Sequence, residues 1–244
     1  MSSEHRAFLG LAELYLRPYG SGVPASLVGD LSELKISQSQ DTKKIPGKSI
    51  LSGGADVKTY TQVSDVSVQF TLTSWHLDNL KLALGATEID QAGGTVTDES
   101  LVAGYGLVML KHKGAKSVVL TSSDGSTTYE EGKDYTVMPS GLLIHKGGAI
   151  NEADNLLADY EHPPKQVLQG LVTKGKQWEM LIDGINRAET DDQYSVHLFK
   201  VDIPPVSDLD LLTDDFGSLT LTGTVLSTGL GKAESDHYTY TKIG

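Results

Sequence analysis

The chain is expected to be a mainly β protein, and three observations predict it. Asp65-Val66-Ser67-Val68-Gln69-Phe70-Thr71-Leu72 alternates polar with apolar residues. Ser218-Leu219-Thr220-Leu221-Thr222-Gly223-Thr224-Val225 repeats the design with hydroxyls on its polar side. A period of two marks a strand with one face on a core and the other in water. Between residues 93 and 165, short apolar runs are broken every ~10 residues by Gly or Ser/Asp turns, the rhythm of a β-sandwich.

Taken in order, Asp30 to Ser37 reads as a strand with Leu34 and Ile36 on one face. Residues 42–54, rich in Gly, Pro and Ser, read as a long loop. It carries Lys43, Lys44 and Lys48 beside a small apolar pair, Ile50 and Leu51. A loop of this length is either functional or a plain disordered hairpin tip. One helix follows, with Ser74 as the expected N-cap and Gly85 as its left-handed stop. Leu77, Leu80 and Leu84 share one face of it, with Trp75 and Leu82 nearly opposite. Two apolar sides require two covers, supplied within one domain or by a neighbouring subunit.

In the middle segment, residues 118–120, 127–137 and 141–144 read as short strands, and Asn155 to Tyr160 as another. His162-Pro163-Pro164 then breaks the pattern, since proline cannot pair in a central strand. Residues 177–183 and 194–201 read as a hairpin, Ser207 to Asp215 as a turn or short helix, and 229–244 as a loose C-terminal arm. The simplest organisation is a discontinuous β-domain, residues 1–92 and 166–244, with a smaller sandwich at 93–165 inserted into it.

Composition narrows the function classes. A formal charge of −12 argues against nucleic-acid binding and anionic membranes, which need a basic footprint. The acidity is spread out: residues 87–165 hold 12 acids and 6 bases, the remainder 20 and 14. Without cysteine there is neither a disulfide nor a thiolate metal site. No signal peptide and no transmembrane run is visible, so the default compartment is cytoplasm, with no membrane insertion. The polar faces of the two alternating strands carry no Lys, Arg or aromatic residue, so they can neither grip phosphates nor stack bases.

Catalytic signatures do not accumulate. The seven histidines never fall at metal-ligand spacing. Gly104-Tyr105-Gly106 lacks the third glycine and the helix of a dinucleotide fingerprint, and Gly114-Ala115-Lys116-Ser117 lacks the spacing of a phosphate loop. No serine sits in a nucleophile elbow. Asp191/Asp192 and Asp214/Asp215 read as solvated turn residues before they read as calcium ligands. The expectation is a protein that is not an enzyme and holds no cofactor or metal.

The order of elements resembles the major tail tube protein of long non-contractile-tailed bacteriophages. The residues that carry the resemblance are Gly29-Asp30-Leu31, the long loop before Asp56, Phe70-Thr71-Leu72-Thr73 and Asn79-Leu80-Lys81-Leu82-Ala83-Leu84-Gly85. Further on come Tyr129, Gly132-Lys133-Asp134-Tyr135-Thr136-Val137, Asp183-Gly184-Ile185-Asn186, Lys200-Val201 with Pro204-Pro205, and Thr222-Gly223-Thr224-Val225-Leu226. Each is weak alone; their order along nearly the entire chain is the signal. The resemblance implies a tail-tube β-barrel or sandwich with one flanking helix, six subunits closing a ring and rings stacking into a tube that conducts DNA. The Gly-Lys-Asp-Tyr stretch resembles the immunoglobulin-like modules that phage tail proteins carry. This chain departs from the family in placing that module inside the tube domain.

On that reading Asp65, Ser67, Gln69, Thr71, Ser218, Thr220, Thr222 and Thr224 line the lumen. Lys43, Lys44, Lys48, Ile50 and Leu51 form the ring-stacking loop, and Trp75 and Leu82 a subunit interface. Implied partners are copies of the chain, other tail proteins such as the tape measure and tail terminator, and DNA in transit. The implied location is the virion tail, after assembly in the host bacterial cytoplasm. Two other classes remain open: a carbohydrate-binding or adhesive β-sandwich, and a calcium-dependent hydrolase resting on the acid pairs.

Overall fold

The structure, a computed structural model, describes residues 7–48, 50, 51, 53, 55–173, 175–188, 192–229 and 235–243. The first strands are β1 (Gly10–Pro18), β2 (Ser26–Leu27), β3 (Leu31–Pro46) and β4 (Asp56–Leu72), followed by helix α1 (Leu77–Leu84). The middle of the chain holds β5 (Thr87–Gln91), β6 (Gly94–Val102), β7 (Gly106–Met109), β8 (Lys116–Ser122) and β9 (Thr128–Tyr129). It continues with β10 (Tyr135–Met138), β11 (Gly141–Ile144), β12 (Asn155–His162) and β13 (Lys165–Gln169). The last strands are β14 (Gln177–Asn186), β15 (Gln193–Asp202), β16 (Leu219–Val225) and β17 (Tyr238–Ile243). The protein is mainly β, and it divides into two compact units: residues 1–87 with 169–244, and residues 88–168.

The first unit is one sheet in the order β2–β1–β14–β15–β16–β4–β3, with β17 also paired to β15. Among the described residues the sheet is open, ending on β2 and β3. The alternation in the sequence is obeyed: Val66, Val68, Phe70 and Leu72 of β4 and Leu219, Leu221 and Val225 of β16 are buried. They share a core with Leu14 and Leu16 of β1, Met180 and Ile182 of β14, and Val196, Leu198 and Val201 of β15. Each such side chain contributes ~1.5–3 kcal/mol by leaving water. β1 has the same logic, with Leu14 and Leu16 inward and Tyr15 and Arg17 outward, although it was not among the expected strands.

Two expectations for this unit need correction. The loop expected at 42–54 is strand over its first five residues: β3 runs to Pro46 and β4 starts at Asp56, with Lys43 opposite Tyr60 and Lys44 opposite Thr59. β-Branched Thr42 and Thr61 face each other with hydroxyls 3.2 Å apart, a pairing that suits a pleated ribbon better than a loop. Residues 229–244 are not loose throughout, since β17 pairs with β15 along Gln193–Leu198. Stacking of Tyr240 on Tyr194, 5.7 Å apart and nearly parallel, holds it.

Helix α1 also differs from expectation. It begins at Leu77 after an N-cap His76 that makes no side-chain cap. Ser74 instead accepts from the Asp30 amide at 3.1 Å, so its hydroxyl ties the start of β3. Gly85 does close the helix in the left-handed region, φ 55°. The buried line of the helix is Asn79 and Ala83; Asn79 donates to the Val28 and Ser74 carbonyls, both at 2.8 Å.

The second unit holds a three-stranded sheet, β10–β11–β7, and a four-stranded one, β6–β12–β8–β9, over a core of its own. Leu120, Tyr135, Leu142, Ile150, Leu156 and Tyr160 are its largest buried members. Val118 belongs to that core, with Tyr129 and Val137 packed on it, but Leu143 points away, because alternation puts Leu142 and Ile144 inward. The Gly-Lys-Asp-Tyr turn is built from the same parts. Asp134 is buried and accepts from the Glu130 and Ala149 amides, which together hold its carboxyl below the usual range, while Tyr135 donates to the Val118 carbonyl at 3.0 Å. β5 and β13, the strands that lead into and out of this unit, pair with each other.

Candidate assembly surfaces

The expected lumen residues fall on one sheet face. In β4 and β16, Thr71 lies opposite Thr220, Gln69 opposite Thr222 and Ser67 opposite Thr224. The Thr71 and Thr220 hydroxyls are 3.0 Å apart, and Asp65 and Ser218 extend the strip at its ends. Thr71 is buried and Ser67 and Gln69 are half-buried; Asp65, Ser218, Thr220, Thr222 and Thr224 are exposed. The neighbouring strand adds a base, which the two alternating segments lack. β3 sets Glu33, Lys35, Ser37 and Ser39 beside Thr71, Gln69, Ser67 and Asp65, with Lys35 and Glu33 3.7 Å apart.

Farther along, the same non-core face carries an ionic cluster. Arg17 donates through Nε to Glu179 Oε2 and through Nη2 to Oε1, both at 2.6 Å, and His197 Nε2 lies 2.6 Å from the same Oε1. The guanidinium, helped by the imidazole, holds the Glu179 carboxyl below its ordinary range against the opposing push of burial.

From Ser37 of β3 and from Asp65 of β4 outward, every strand residue is exposed, so among the described residues the far half of this hairpin is an arm clear of the core, tied near its start by Gln38 donating to the Tyr238 hydroxyl. Lys43 and Lys44 sit on its strand, the latter 3.2 Å from Asp56, while Lys48, Ile50 and Leu51 sit at its tip. Both apolar tip residues are fully exposed. The two expected interface residues part company. Leu82 packs on the core of its own unit and lines a cleft of about 820 Å³ with Leu16, Val28, Trp178 and Ile203. Trp75 precedes the helix, stays partly exposed and donates to the Gly217 carbonyl at 2.9 Å.

Sequence reasoning missed one surface. Beside Trp75, the segment 208–217 leaves Leu211, Leu212 and Phe216 exposed among Asp208, Asp210, Asp214 and Asp215. The signal is legible as alternation of acids with large apolar residues, in a segment that reads as a turn or short helix with Asp214/Asp215 as solvated turn residues. Among the described residues no group of three or more acids or histidines is arranged to hold a metal, and no helix is long and apolar enough to cross a membrane.

A profile of the family described as "Protein of unknown function UCP028589" matches residues 7–242. The chain belongs to that family. The match runs through both compact units, so the segment 88–168 and the arm of this UCP028589 protein lie within one family pattern. No curated protein matches the chain.

Proposed function

We propose that this UCP028589 protein is a structural subunit of a phage tail, in which six copies close a ring and rings stack into a tube that conducts DNA. The observation that carries the reading is the arm. Among the described residues, sixteen-residue β3 has no strand on its outer edge and continues into a ribbon exposed on both faces, an open edge that invites a strand from another copy. Strand addition at that edge would continue the open sheet around a ring as a β-barrel.

The hydroxyl strip supports the same reading. A duplex carries one charge per ~1.7 Å, so a lumen walled by neutral and acidic groups, with Lys35 offset by Glu33, lets it slide. The second unit acts as an immunoglobulin-like decoration. The subunit is not an enzyme, needs no cofactor, and meets the tape measure and tail terminator as well as its own copies. It works in the virion tail after assembly in the bacterial cytoplasm. Negative-stain microscopy and sedimentation of concentrated protein test this: rings or tubes are expected. Protein that stays monomeric at all concentrations, or an assembled channel walled by unpaired lysines, would sink it.

A further inference from the structure

We infer that the tip of the β3–β4 arm docks, head to tail, on the acidic apolar surface formed by Trp75 and residues 208–216 of a second copy; this rests on the tube reading and names the receiving surface. The two surfaces are complementary in both kinds of chemistry. Residues 43–58 contain four lysines and one aspartate in a chain whose net charge is −12, together with exposed Ile45, Ile50, Leu51 and Val57. Residues 205–217 contain four aspartates and no base, together with exposed Leu211, Leu212 and Phe216. Leu212 and Phe216 are each 96% exposed, which leaves a large apolar area in water unless something covers it.

The occupant is a second copy because one chain cannot satisfy both surfaces. Leu219 pairs with Leu72 at the base of the hairpin, and Trp75 follows that base directly, so the acidic surface lies at the root of the arm. The tip is sixteen residues farther along β4, which at ~3.3 Å per residue is roughly 50 Å away, and from Asp65 outward the strand stands clear of the core. Donor and acceptor patches at opposite ends of one element make a heterologous contact, which propagates along the arm direction instead of closing on itself. Apolar side chains supply the contact area, and the lysine–aspartate field sets direction by opposing tip-to-tip and root-to-root encounters.

The cysteine-free chain permits a clean test. Full-length Ile50→Cys and Leu212→Cys proteins are mixed under mild oxidation, with Ser123→Cys, at an exposed site in the other unit, as the control partner for Ile50→Cys. The 50–212 disulfide is expected to form roughly tenfold faster than the 50–123 or 50–50 disulfides, because docking raises the local concentration of the pair. Raising salt from about 0.1 M to about 1 M, which shortens the screening length from ~10 Å to ~3 Å, should reduce that preference. Reversing the tip with Lys43→Glu, Lys44→Glu and Lys48→Glu should abolish it, and pairing that protein with Asp210→Lys, Asp214→Lys and Asp215→Lys should bring it back. Equal rates for all pairs, or a dominant 50–50 disulfide, would overturn the contact. Rings or tubes without a preferred 50–212 disulfide overturn this contact and leave the tube reading standing; the disulfide without rings keeps the contact and removes the tube reading.

Discussion

Gly184 lies directly opposite Tyr194 in the β14–β15 pair, and a Cβ on it would come within 2.1 Å of the tyrosine ring. The bare backbone is the seat on which the ring lies, and Tyr194 in turn carries Tyr240 of the last strand. Gly184→Ala is therefore expected to cost ~1–3 kcal/mol, as an overpacked site does. In a double-mutant cycle with Tyr194→Ala the penalty should shrink, because the clash is gone; equal penalties in both backgrounds would show that the ring is not its cause. Glu179 offers a second test at the level of single groups. Its carboxyl is depressed by Arg17 and His197, so the stability it adds is complete above the ordinary glutamate range and is lost as pH falls through and below that range. Glu179→Gln should lower Tm at neutral pH, and the gap to the parent protein should close in acid. A gap that persists unchanged at low pH would mean that shape, not charge, holds the cluster.

Among the elements, the arm and the helix make opposite predictions. The arm adds nothing to the core of its unit, and Gln40 and Val63 are register partners at its root. Joining them through an Asn-Gly turn, which suits a two-residue hairpin, should leave the thermal melt unchanged and remove self-association in sedimentation. A lower melting temperature would show that the arm folds back on the body. Helix α1 is covered by its own unit, and both Leu80 and Leu82 pack on that core. Leu82→Asp should thus destabilise the isolated protein by ~1–3 kcal/mol, and not merely weaken assembly. An unchanged melt for Leu82→Asp would return Leu82 to the surface role first expected of it.

The two compact units each bury their own apolar set, and the strands that connect them, β5 and β13, pair with each other. Chain ends held side by side are where an insertion can be removed at least cost. Replacing residues 93–164 with a short Gly/Ser linker is expected to leave a soluble protein with the melt of the first unit alone, and residues 88–168 are expected to melt cooperatively as a separate fragment. An unfolded fragment, checked by circular dichroism, would mean that the second core depends on the first.

Strand character along 65–72 and 219–225 was readable because side chains alternate with the backbone pleat, a local property that needs no partner to be seen. The same holds for Gly85, where a left-handed stop demands glycine. The strand extensions from Ser39 to Pro46 and from Asp56 to Ser64 were not readable, since with both faces in water nothing selects an alternating pattern, and pairing rests on the partner strand's backbone. Ser74 looked like a helix cap by its type and position, yet the Asp30 amide, forty-four residues away, claims its hydroxyl. The exposure of Leu211, Leu212 and Phe216 is likewise a relation between segments: apolar residues beside a strand read as core until the fold shows that no part of the described chain covers them.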